Sequence, residues 1–149
     1  MKKIDERDIQ IISCLRKNSR TKLKKISQDV KLPISTVYDR IKKMEKNGII
    51  KTYSCLIDPK KIDYSIKAKI FFKIPTDSRK EFENKEKSNP VINSLFKVTG
   101  GNWDYIAEGF FQDIDHLYNY VDKVNKNFKN CSHQVHYIVN EIKHEQFLV

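Results

Sequence analysis

Apolar residues recur at helical spacing through the first part of the chain. Ile9, Ile12 and Leu15, with Ile11 alongside, predict a helix that Asp5 can cap, with Asp8 near its positive end and Asn18-Ser19 after it. Leu23, Ile26 and Val30 predict a second helix, with Thr21 as candidate cap. Lys31-Leu32-Pro33 then breaks the chain, because proline disfavours helix for the residue before it and is tolerated where a new helix begins. Val37, Ile41 and Met44 mark the buried face of a third helix, with Ser35 as its N-cap and Gly48 as its stop. The opposite face carries Ser35, Tyr38, Asp39, Lys42, Lys43 and Lys46. Ile49-Ile50 and Thr52 to Ile57 read as short strands able to form a wing.

The pattern changes at Asp58-Pro59, and residues 58–65 read as a linker. Ile66, Ala68, Ile70 and Phe72 alternate with Lys67, Lys69 and Phe71, as in a strand with one polar face. Asp77 or Ser78 opens a helix anchored by Phe82, and Val91 to Thr99 and Trp103 to Phe111 are strands around a Gly100-Gly101-Asn102 turn. Asp113 caps a helix carrying Leu117, Val121, Val124 and Phe128, and Val135 to Ile142 is the last strand. The fold class is therefore α+β, a winged helix-turn-helix at 1–57 followed by a ferredoxin-like (βαββαβ) sandwich at 66–149.

Composition narrows the function classes. The 149 residues, 39% of them hydrophobic, suffice for one ordinary domain or two small ones. No apolar run is long enough to span a membrane, and MKKIDERD lacks the hydrophobic stretch of a signal peptide. Cys14, Cys55 and Cys131 are odd in number and far apart, which fits a reducing cytoplasm and neither a disulfide framework nor a metal site. His133 and His136, three apart on a strand, face opposite ways and cannot share a metal, and structural or solvated roles suit them, His116 and His144. No catalytic Ser/His/Asp or Cys/His set and no phosphate-cradling loop stands out, so no cofactor is expected. The net charge of +10 is uneven: residues 1–64 hold 17 Lys and Arg against 8 Asp and Glu, and residues 65–149 hold 12 against 11. A local basic field favours a polyanionic partner.

By itself the third helix could be an ordinary amphipathic surface helix with a solvated basic face. A second helix and a tight turn before it make it a recognition helix, suited to the major groove of double-stranded DNA. Ser35, Thr36, Tyr38 and Asp39 are then expected at base edges, with Arg40, Lys42 and Lys43 nearer phosphates and Lys24, Lys25 and Lys51 as outer contacts. Arg40 has a rival role beside the core face, as an ion-pair partner of Asp8 or Glu45. The loop Thr99-Gly100-Gly101-Asn102-Trp103-Asp104 has two readings. It is a tight hairpin whose Trp103 packs at an interface, or a site where glycine N–H groups meet a ligand carboxylate and Asp104 holds an ammonium group.

IDERDIQIISCLRKNSR, ISQDVKLPISTVYDRIKKMEKNGIIKTYSCLIDPKKI and KVTGGNWDYIAEG, in this order, resemble the leucine-responsive/asparagine-operon (Lrp/AsnC) family of transcription regulators over nearly the whole chain. The resemblance implies a homodimer, and a tetramer or octamer built from it, with the Thr99–Asp104 turn at the contact between dimers and beside an amino-acid effector. In the last strand, Gln134 and His136 correspond to positions that lie near the effector in the family, where small hydroxyl residues are common. Lys31 stands where the family commonly has glycine. The expected function is sequence-specific regulation of transcription. Two alternatives stand beside it: an architectural, chromatin-like DNA binder, and a siroheme-decarboxylase-like enzyme on the same fold, against which the basic N-terminal half speaks.

Overall fold

The computed structural model describes residues 4–143, so His144 and the end of the stretch 66–149 lie outside the described residues. The described chain parts into two compact units, one formed by 4–57 with Lys143 and the other by 58–142.

The first unit is built from α1 (Glu6–Lys17), α2 (Leu23–Val30) and α3 (Ile34–Lys46). Asp5 caps α1 in a reciprocal box: its Oδ1 accepts from the Asp8 N–H, and Asp8 Oδ2 accepts from the Asp5 N–H. The core gathers Ile11, Ile26, Val30, Val37, Ile41 and Met44, with Ile12, Cys14, Leu15, Leu23, Leu32 and Ile50 packed around it. On α1 the fully buried residue is Ile11, which the periodicity put to one side, and Ile9 is only half-buried.

Two expected caps are corrected. Lys22 is the N-cap of α2 and Pro33 that of α3, and neither supplies a side-chain acceptor. Thr21 instead donates its hydroxyl to the Asn18 carbonyl, and Ser35 lies inside the first turn of α3. The turn between them runs through Lys31 in the left-handed conformation, φ 54° and ψ 48°, with Ser27 Oγ donating to the Leu32 carbonyl. At the other end of α3, Gly48 (φ 68°) donates to Glu45 O and Ile49 to Met44 O, the paired bonds of a Schellman stop.

Among the described residues no wing strand forms, and for Ile49-Ile50 the stop explains why. Ile49 and Ile50 both give their N–H groups to Met44 O, so they have none left for a ladder. Residues 51–57 run exposed without strand pairing, held to the unit by Tyr53 on Glu45 and Ser19 on the Ser54 carbonyl.

In the second unit, residues 58–65 contain a 3-10 turn at Pro59–Ile62 that Asp58 caps, and Ser65 donates to Gln112 O. Then follow β1 (Ile66–Lys73), α4 (Arg79–Lys87), β2 (Ile92–Lys97), β3 (Tyr105–Phe111), α5 (Ile114–Asn127) and β4 (Ser132–Tyr137). The antiparallel sheet has the order β2-β3-β1-β4, that of a ferredoxin-like unit. The last strand starts and ends earlier than 135–142. Ala68, Ile70, Phe72, Tyr105, Ala107 and Phe111 point to one face and pack under Phe82 of α4 and Leu117, Tyr120, Val121 and Val124 of α5. Glu86 is buried there, its carboxylate accepting from Tyr120 Oη (2.9 Å) and Asn89 Nδ2 (3.0 Å).

A side chain at a left-handed position costs about 1 kcal/mol that glycine does not. Lys31→Gly is therefore expected to raise the stability of the first unit by somewhat less than ~1 kcal/mol, since glycine also gains freedom in the unfolded chain. Thermal or urea unfolding of the variant measures it; a lower midpoint would show that the Lys31 side chain contributes more than its backbone costs.

Candidate nucleic-acid interface

Because Val37, Ile41 and Met44 are spent on the core, α3 turns Ser35, Tyr38, Asp39, Lys42, Lys43 and Lys46 to solvent. Tyr38 is 48% exposed. Thr36 is half-buried at the edge of this face, and Lys24 and Lys25 on α2 and Lys51 after α3 are exposed. The first-turn N–H groups of α2 and α3 receive no capping side chain, so the positive ends of both helices are left to solvent or an anion.

Within this face the charges are partly organised. Lys42 Nζ lies 2.9 Å from Glu45 Oε2 and 5.8 Å from the Tyr38 ring centre. The hydrogen bond from Lys42, followed by the one from Tyr53, holds the Glu45 carboxyl below its ordinary range. Burial and then the bond to Glu45 push the Tyr53 hydroxyl up to about 12, so Tyr53 is a neutral donor at any physiological pH. The Lys42–Glu45 pair is exposed and weak, and a phosphate can compete for Lys42. Glu45, expected here only as a possible partner of Arg40, ties α3 to the chain after it through Tyr53; its spacing of three from Lys42 is the signal the sequence carries.

Arg40 differs from its neighbours. Its Nη1 lies 2.6 Å from Asp5 Oδ2 and 2.8 Å from Asp8 Oδ1, so the guanidinium is engaged by α1 in the ion-pair role. The partners are Asp8 and Asp5; Glu45 is taken by Lys42 and Tyr53. The Arg40 hydrogen bond is the largest cause that holds the Asp5 carboxyl below its ordinary 3.8, and the two carboxylates raise the guanidinium in turn.

In the second unit, the expected effector residues divide. Thr99, Gly100, Gly101 and Asn102 form an exposed loop in which both glycines have positive φ, 88° and 77°, and nothing lies within 4 Å of either as a Cβ would be placed. Trp103 lies 6.2 Å from Phe71, which lies 5.0 Å from His136 and pairs across the strands with Gln134. Trp103, Gln134 and His136 are thus brought together over one aromatic ring. Asp104 has a structural role of its own: its Oδ1 accepts from Arg79 at 2.7 Å and its Oδ2 from the Ile74 N–H at 3.1 Å, one bond on each carboxylate oxygen.

His133 and His136 sit opposite Phe72 and Lys69 on β1, hence on opposite faces, and His116 accepts from the Gln112 N–H beside Phe111. Among the described residues, no helix is long and apolar enough to cross a membrane.

Comparison with known proteins agrees with this geometry. A model of winged helix-turn-helix DNA-binding domains matches residues 4–51. An uncharacterized HTH-type transcriptional regulator of Pyrococcus horikoshii is 31% identical over 130 residues, covering 84% of this chain and 82% of that protein. The HTH-type transcriptional regulator LrpB of Bacillus subtilis is 45% identical over 69 residues, 46% of each chain. Among solved structures, a transcriptional regulator of Neisseria meningitidis in complex with L-Met superposes with a TM-score of 0.89 at 28% identity, over 95% of this chain and 94% of that one. With α3 exposed on a compact helix-turn-helix, and a four-stranded sheet with two helices behind it, the chain belongs to the Lrp/AsnC family of DNA-binding transcriptional regulators.

Proposed function

We propose that this regulator reads its operator with the solvent face of α3 and does so as a homodimer joined through the open face of the C-terminal sheet. The observation that carries the first part is the exposed row Ser35, Tyr38, Asp39, Lys42 and Lys43 on a helix whose other side is the core. Ser35, Thr36, Tyr38 and Asp39 approach base edges, and Lys43, Lys42, Lys24, Lys25 and Lys51 approach phosphates. The basicity of residues 1–64, against near-neutrality of 65–149, supports that division of labour.

The sheet supports the second part. Helices cover one side of it, while Phe71, Phe96, Ile106 and Phe110 point to the other. The uncovered face of an antiparallel sheet is ordinarily polar, yet Phe96 here is 52% exposed. The charges on this side are largely paired: Lys67 lies 2.7 Å from Glu141 and 3.6 Å from Glu108, and Lys69 lies 3.9 Å from Glu108. A nearly neutral, apolar and internally paired face fits a second copy of itself without charge repulsion, in a two-fold arrangement. Two recognition helices then match a two-fold operator.

An amino-acid effector is the second reading. It is supported by the Trp103–Phe71–His136 cluster beside two unobstructed glycines, and by L-Met in the Neisseria regulator. Backbone N–H groups of the loop would meet a carboxylate, with Gln134 as a further polar partner.

Three outcomes are expected. Tyr38→Ala keeps its fold and loses about 1–3 kcal/mol of discrimination between an operator and a scrambled duplex. Binding at two salt concentrations checks this, the unaltered dimer losing roughly 10³–10⁵ in affinity from 50 to 200 mM salt if it makes ~6–10 phosphate contacts. Equal affinity for both duplexes in the unaltered protein would move the reading to an architectural binder. Phe96→Glu yields a folded monomer in light scattering; an intact dimer would remove the sheet face as the interface. Finally, L-methionine is expected to change the emission of Trp103, the chain's one tryptophan, and a flat titration with all the common amino acids would end the effector reading.

A further inference from the structure

We propose that Arg40 is a positioning residue for DNA reading, which sets the orientation of the recognition helix from behind and makes no phosphate contact of its own. The proposal rests on the DNA-reading role of α3. It is carried by how completely two carboxylates are used. Asp5 gives Oδ1 to the Asp8 N–H and Oδ2 to Arg40. Asp8 gives Oδ2 to the Asp5 N–H and Oδ1 to Arg40. The box that starts α1 is therefore also the socket for a guanidinium from the middle of α3. The Asp8 side chain is 13% exposed, that of Arg40 28% and that of Asp5 52%, so the Arg40–Asp8 bond is the half of the junction better shielded from water and salt.

The position of Arg40 on α3 explains the choice. It stands roughly 60° round the helix from Val37, at the border between the buried and exposed faces. A guanidinium there can reach back to α1 or forward to a duplex, and here its Nη1 reaches back to both carboxylates. Reaching forward would leave Asp5 and Asp8 as unpaired carboxylates beside a polyanion. A second guanidinium completes the frame, since Arg7 on α1 donates to the Val30 carbonyl at 2.8 Å, at the end of α2. Through Arg7 and Arg40, α1 is tied by charged hydrogen bonds to both helices of the helix-turn-helix. Base reading needs side chains held within about 0.5 Å of their productive geometry, and apolar contact between three short helices does not fix roll to that degree.

The experiment uses the full chain and a duplex enriched by the unaltered protein from a random library, with a scrambled duplex as control. Affinities are measured against salt for Arg40→Gln, Asp8→Asn and the double variant, at a temperature where circular dichroism shows each folded. A positioning role predicts that both single variants lose about tenfold in preference for the enriched duplex. The double variant should be no worse than the weaker single one, and the salt slope should not change. A phosphate contact predicts the opposite pattern: Arg40→Gln flattens the slope by ~0.9, and Asp8→Asn, which removes a negative charge, binds as well or better. That result overturns the proposal, and so does unchanged preference in both variants, which would leave the junction with a purely structural role. If Arg40→Gln does not fold, Arg40→Lys and Asp5→Asn take its place. Both keep a hydrogen-bonding group at the junction, and the same comparison of preference and slope decides. Failure of the unaltered protein to enrich any duplex would end the DNA-reading role itself and the proposal with it.

Discussion

The first unit must hold a recognition helix still with very little core. Ile11, Ile26, Val30, Val37, Ile41 and Met44 are its buried side chains, and every one comes from a short helix. So small a core buries too little apolar surface to dictate one arrangement of three helices unaided. Directional bonds at the helix ends supply what is missing. They are the Asp5–Asp8 box, Arg7 on the end of α2, Arg40 on the start of α1, and the Schellman bonds at Gly48. Placing the charged bonds at the back of α3 leaves its front free of internal obligations except at Lys42. That division between back and front is what makes the helix a reader.

The second unit works under a different constraint. Two helices can cover only one side of a four-stranded sheet, and α4 and α5 do so over Phe72, Tyr105 and Phe111. The other side is apolar where Phe71, Phe96, Ile106 and Phe110 lie, and polar where Lys67 and Lys69 meet Glu108 and Glu141. An interface is the economical resolution, since a second copy brings the same rows of side chains to the same face. Trp103 and His136 converge on Phe71 at the edge of that face, so assembly and effector response would share residues.

Asp104 illustrates how a residue can hold a suggestive position for a structural reason. Beside two glycines it looks like a ligand for an ammonium group. In the fold it receives Arg79 and the Ile74 N–H, and its own N–H goes to the Phe72 carbonyl. It therefore joins the end of β1 to the start of α4. The turn needs that carboxylate whether or not an effector binds.

Periodicity alone determined much of this protein. The helices, the strands and their order follow from which positions are apolar, because burial of one face is decided residue by residue. Asp5, Asp113 and Gly48 were legible for the same reason, since a cap or stop depends only on its near neighbours. The departures share a cause. Ser35 and Thr21 are good caps by type, but the backbone enters each helix at a different residue. Ile49 and Ile50 read as a strand of a wing, and only the fold shows their N–H groups taken by Met44. Ile11 displaced Ile9 because α2 and α3 choose which side of α1 is inside. Arg40 has two candidate roles in the sequence, as its partners lie 32 and 35 residues away. What a side chain can do was written in the sequence; which of its candidate partners it meets depends on contacts between distant segments, and only the tertiary structure sets those.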